Sequence, residues 1–155
     1  MIRFEHANLL VKDIDETLDF ILTAFPEWRV RRRGRMNWRG TPRRWLHVGD
    51  DHTYITLNDP SEGENRDLSG HQPGLAHLGF VVDDLDAVVA RLERKGFPID
   101  IVGEAHPFRR SVYFLEPAGH QFEFVEYLSE DPAERNRYDV NPTITLEPAE
   151  GGTHG

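Results

Sequence analysis

No cysteine occurs in the 155 residues. That removes a disulfide framework, a thiolate metal site and a Cys nucleophile in one step. Long apolar runs are also missing, so no stretch is expected to span a membrane and no membrane partner is expected. The opening Met1-Ile2-Arg3-Phe4-Glu5 lacks the pattern of a signal peptide, which makes a cytoplasmic location the expectation. Basic residues are few. Lys and Arg number 18 against 27 Asp and Glu, and the net charge of −9 argues against a general nucleic-acid binder. The hydrophobic content of 38% suits a globular chain forming one domain, or two small halves sharing one core.

What is present is a repeat. Phe4-Glu5-His6 through Asp13-Ile14-Asp15 returns 71 residues later around His77, with Val11 on Val82, Asp13 on Asp84, Ile14 on Leu85, Asp15 on Asp86 and Leu18 on Val89. Self-similarity at a fixed offset sets architecture. Each copy begins with a strand that carries a histidine.

In the first unit (2–58), residues 3–11 alternate as a strand, with His6, Asn8 and Leu10 on one face. Asp13 stands as an N-cap with Glu16 three residues on. Ile14, Leu18, Ile21, Leu22 and Phe25 follow at helical spacing until Pro26. Strands are predicted over 27–33, 43–49 and 52–58, with turns at Gly34, Gly40-Thr41-Pro42 and Gly49-Asp50-Asp51. A polar linker (59–74) leads to the second unit (75–128). There a strand over 75–82 precedes a helix from about Asp84 to Lys95, with Gly96 as its C′ residue. Strands near 98–102, 110–116 and 120–128 close the unit. The polar tail (129–155) is expected to be mostly loop, with Thr143–Leu146 as an added strand and His154 solvated, as is His71 in the linker.

Two βαβββ units in tandem, a His on each first strand, and the closing run Tyr113-Phe114-Leu115-Glu116-Pro117-Ala118-Gly119-His120-Gln121-Phe122-Glu123 resemble the vicinal oxygen chelate superfamily. That superfamily holds glyoxalase I, type I extradiol dioxygenases, fosfomycin-resistance proteins and bleomycin-binding proteins. The resemblance covers about residues 2–128. It implies an α+β fold in which the two units form a shared curved sheet or half-barrel around a central cavity. It also implies metal ligands on the first and last strand of each unit: His6, His77 and Glu123, with the fourth position at about Ile55, which cannot bind a metal. A homodimer and a small-molecule substrate are further implications.

The residues agree with that transfer. In the last strand Glu123 lies opposite Phe122 and Phe124, toward the interior, where a carboxylate needs a partner. A single divalent cation per chain supplies one. Two imidazoles and a carboxylate leave open positions that suit Fe2+ or Mn2+ first, with Ni2+, Co2+ or Zn2+ as alternatives. The open positions let a substrate bind through two oxygens. The plainer reading makes His6 and His77 ordinary sheet residues and leaves Glu123 in water.

For the reaction, His106 with Tyr113, Glu116-Pro117-Ala118-Gly119 and Glu123 is similar to the extradiol signature, departing from it at Glu104. The resemblance gives His106 and Tyr113 hydrogen-bonding roles beside the substrate, and the segment Leu46–Thr53 offers His52 as acid–base residue. A ring-cleaving oxygenase is the leading expectation. A glyoxalase- or epimerase-type lyase or isomerase and a metal-free binding protein are the alternatives. Eight Arg and all three Trp lie between Trp28 and Trp45. Such a patch suits an anionic substrate, or else forms a solvated outer face.

Overall fold

The computed structural model describes residues 1–148, and His154 lies outside them. The strands and helices run β1 (His6–Leu10), α1 (Ile14–Ala24), β2 (Arg29–Trp38), β3 (Thr41–Gly49), β4 (Tyr54–Asp59), β5 (Leu78–Val81), α2 (Leu85–Arg94), β6 (Ile99–Val102), β7 (Arg109–Leu115), β8 (Gln121–Tyr127) and α3 (Pro132–Arg135). The fold is α+β with the repeat visible: strand, helix, three strands, twice.

Both long helices start where the sequence puts them. Asp13 Oδ1 accepts from the amides of Asp15 and Glu16, and Asp84 Oδ1 accepts from the Ala87 amide. Each carboxylate satisfies amides that the first turn leaves without a partner. Gly96 follows α2 at φ 91°, where a Cβ would be strained.

Each unit forms a four-stranded mixed sheet, ordered β1-β4-β3-β2 and β5-β8-β7-β6. The two sheets form separate four-stranded ladders and neither closes into a barrel. The helices explain why. α1 packs on β3 and β4, α2 packs on β7 and β8, and the helices pack on each other. One face of each sheet is thereby committed to the core. Leu9, Val11, Leu46, Val48, Ile55 and Leu57 supply it from the first sheet, and Val112, Phe114, Phe122 and Phe124 from the second. Phe20 of α1, fully buried, reaches across to Phe97 and Phe122 at ring distances of 5.1 and 5.3 Å.

Polar ties reinforce the junction. The Thr17 hydroxyl donates to the buried Glu116 carboxylate at 2.7 Å. Arg91 of α2 donates to the carbonyls of Thr23 and Ala24 at the end of α1. With the helix-bearing faces turned together, the opposite faces lie on the outside, and these carry His6 and Glu123.

Four local expectations need correction. Gly34 lies inside β2, not in a turn, because β2 and β3 form one long hairpin whose two-residue turn is Arg39-Gly40, both at positive φ. The strand expected over 75–82 is shorter, and His77 sits just before β5. Thr143–Leu146 forms no strand. The tail instead contains α3, which Asp131 caps through the Ala133 amide. No helix among the described residues is long and apolar enough to cross a membrane.

Candidate metal centre on two open sheet faces

Strand register decides which side chains share an outer face. In the second sheet Gly79 pairs with Glu123, and Glu123 pairs with Tyr113. In the first, Asn8 pairs with Thr56, and Thr56 with His47. Asn8 is the repeat counterpart of Gly79. Thr56 therefore occupies the place of Glu123, and His47 that of Tyr113. The expected fourth position at Ile55 is off by one residue. Ile55 points the other way and is 2% exposed in the core. The correction keeps the conclusion that the first unit has no carboxylate there, since a Thr hydroxyl stands in its place.

On the second face, His77 Nε2 lies 3.2 Å from Glu123 Oε2. Gly79 lies directly against that carboxylate, since a Cβ there would make an ordinary van der Waals contact of 3.7 Å with Oε2. The Tyr113 ring meets the His77 ring edge to face at 5.4 Å. Burial, with the Glu123 carboxylate beside it, pushes the Tyr113 phenol up to about 12. It is a neutral donor throughout the physiological range.

On the first face, Glu5 organises His6. Its Oε1 lies 2.9 Å from His6 Nδ1 and accepts from the Tyr54 hydroxyl at 3.2 Å. The hydrogen bond to His6, then that to Tyr54, holds the Glu5 carboxyl below its ordinary range. A His that gives its Nδ1 proton to a carboxylate presents the Nε2 lone pair, as a metal-binding imidazole does. The Tyr54 ring stacks on His6 at 4.8 Å and meets His47 at 4.6 Å, and Trp45 continues the row 5.1 Å from His47. Burial, followed by the charges of Arg31 and His6, pushes the His47 imidazole down. Glu5, Tyr54 and Arg31 were not singled out from sequence. The signals available were the adjacency of Glu5 to His6 and the alternation of Trp45 with His47.

Within one chain these faces remain apart. Among the described residues, no three His, Cys, Asp or Glu side chains converge on a point where a metal ion could sit. The donor chemistry suits a divalent cation, but the chain assembles it as His77 with Glu123 on one face and His6 on the other. His106 is elsewhere. Its Nδ1 accepts from the Phe108 amide at 3.1 Å, so its Nε2 carries the proton and donates to the Arg137 carbonyl at 2.9 Å. His52 sits in the turn before β4, exposed, with Nδ1 3.5 Å from Arg3 Nη2. A cleft of about 340 Å3 lined by Trp28, Val82 and Arg91 contains none of the residues expected for the site.

A sequence profile of the Glyoxalase/Bleomycin resistance protein/Dioxygenase superfamily matches residues 3–124. The chain belongs to this superfamily. Members typically bind a divalent metal and a small-molecule substrate. Among solved structures, the chain is similar to a glyoxalase family protein from Bacillus cereus, with a TM-score of 0.69 at 16% identity over 83% of this chain and 96% of that one. It is also similar to the trypanothione-dependent glyoxalase I of Leishmania major (TM-score 0.61, 18% identity, 81% and 87% covered). The fosfomycin resistance protein FosX of Listeria monocytogenes aligns over 87% and 97% at 19% identity, with a TM-score of 0.59. At these identities the similarity establishes the fold. A search of curated proteins found no match.

Proposed function

We propose that this superfamily member is a divalent-metal-dependent enzyme whose centre is completed by two copies of the chain. His77 and Glu123 of one copy would hold the ion together with His6 of the other. The observation that carries this reading is the convergence of His77 Nε2 and Glu123 Oε2 at 3.2 Å on an open face, with His6 held by Glu5 on the other open face. Placing the first face of one copy over the second face of another joins three donors, and a two-fold axis makes the contact twice. The ion, when bound, would supply Lewis acidity and a template for two substrate oxygens.

The chain's own groups then have distinct tasks. Glu5 fixes the His6 ring and its tautomer. Tyr113, protonated, donates to an oxygen on which negative charge develops. His47, neutral and beside Thr56, is better placed than His52 to take and return a proton on the first face.

Of the two reactions considered, proton transfer at a carbon next to an oxygen, as in a lyase or isomerase, suits the geometry better than ring cleavage. The ring-cleaving reading relies on His106, and both of its ring nitrogens are engaged by backbone groups. Fe2+ or Mn2+ remains the first choice of ion for ring cleavage, while Ni2+, Co2+ or Zn2+ suits the lyase or isomerase. The test is metal reconstitution followed by two probes. Oxygen uptake with catechol would favour the oxygenase, and turnover of the methylglyoxal–glutathione hemithioacetal would favour the lyase. Absence of metal uptake would leave a ligand-binding protein without a metal.

A further inference from the structure

We propose that a β-bulge in β2 makes the first open face a recognition site for the anionic end of a planar substrate, with Arg31 as the specificity-determining residue. The inference rests on the two-copy centre proposed above and names the class of molecule it would take.

The bulge is visible in the register. Val30 pairs with Val48, but the next pair is Arg32 with His47, so two arginines oppose one histidine. A bulge of this kind re-aims a side chain that regular pairing would direct elsewhere. Here it brings Arg31 onto the open face, its guanidinium carbon 4.5 Å from the centre of the Tyr54 ring. Tyr54 is thereby the hub of a row formed by His6, Tyr54, His47 and Trp45. Gly34, opposite Trp45, keeps the face flat, since a Cβ there would meet the indole at 3.0 Å.

Charge defines the occupant. Between Arg29 and Arg44 there are eight arginines and no acid, in a chain whose net charge is −9. Arg29 is held by Asp51, and Arg44 by Asp59 and Asp15. Arg31 and Arg32 enter no ion pair among the described residues, and the nearby Glu5 is occupied by His6 and Tyr54. A row of rings beside two guanidinium groups outside any ion pair matches a conjugated ring or enol bearing a carboxylate. Arg31 binds the carboxylate and the ring row walls the planar part, two contacts that an uncharged analogue cannot both make. The second unit has a bulge in the corresponding strand, between Ile99 and Ile101, but there the extra residue is Asp100, which accepts from Gln121 at 2.7 Å. The second face has Arg109 near Tyr113, but its bulge presents a carboxylate where the first presents a guanidinium.

The experiment is calorimetric titration of 3,4-dihydroxybenzoate and of catechol into the full chain, without added metal and after loading with Zn2+. Wild type is expected to bind the carboxylate at least about tenfold more tightly, the scale of one charge-assisted hydrogen bond. In Arg31→Gln the ratio is expected to fall to about one with metal content unchanged, while Arg31→Lys retains part of it. Arg33→Gln is the control. Arg33 pairs with the buried Leu46 on the helix-bearing face, and its replacement is expected to leave the ratio unchanged. Equal binding of the two probes by wild type would overturn the inference, as would an unchanged ratio in Arg31→Gln or a loss confined to self-association. A failure of Zn2+ uptake would instead count against the metal centre, and the metal-free titrations would still report on Arg31.

Discussion

Replacing Phe20 by Ala tests whether the two units share one core. The ring is fully buried and lies edge-on to Phe97 and Phe122, both in the second unit. Removing it leaves a cavity that neighbours from both units must fill. Large-to-small changes of this kind cost about 3–5 kcal/mol. For a chain of this size each kcal/mol lowers Tm by about 2–4 °C, so the expected fall is about 6–20 °C. Thermal melts followed by far-UV circular dichroism and by Trp fluorescence give the number. They also test cooperativity, because all three Trp lie in the first unit while both units contribute to the dichroism. The two signals are expected to move together. Leu10→Ala, 38% exposed on the open face, serves as the comparison and should change stability by less than about 0.5 kcal/mol. A fall below 2 °C in Phe20→Ala, or two separate transitions in wild type, would refute a shared core.

Other perturbations follow from single contacts. Asp84→Ala removes the N-cap of α2 and is expected to cost about 0.5–2 kcal/mol in urea unfolding. Asp59→Ala leaves the buried Ile14 amide without its acceptor while Arg44, partly exposed, keeps Asp15, so the expected loss is about 1–3 kcal/mol by the same assay. In metal-free protein, ultraviolet titration should show one tyrosine ionising near 12, and Glu123→Gln should bring it back toward the ordinary value. Because Tyr113 is raised above an unfolded pKa of about 10, its contribution is complete below that pH and is lost as pH rises from about 10 to 12. Stability should therefore decline across that window more steeply in wild type than in Tyr113→Phe.

The repeat made the order of elements legible, and both helix starts were legible because Asp13 and Asp84 are capping residues followed by apolar positions at helical spacing. The side of each sheet was legible from alternation, which placed Glu123 opposite Phe122 and Phe124. What alternation does not reveal is a bulge. The extra residue at Arg31 shifts the pairing of β2 by one, and nothing in the local composition of an arginine run marks it. The one-residue error at Ile55 has a related origin, since strand register, which pairs Asn8 with Thr56 as Gly79 with Glu123, fixes that position and is not written in the local sequence. His106 was legible as a motif residue but not in its role. Its partner is the Arg137 carbonyl in the tail, and backbone acceptors leave no trace in sequence. α3 was missed because a helix of four residues has no periodicity to detect.

The most direct test of the central claim is metal binding by mixed mutants. His6→Ala and Glu123→Ala chains should each bind no metal alone. Unfolded together and refolded, half of the pairs are mixed, and each mixed pair has one intact centre made of His6 from one copy and His77 with Glu123 from the other. The expected recovery is about a quarter of the wild-type metal per chain. Recovery of none, with wild type fully loaded and the mixture folded, would contradict a centre shared between two copies.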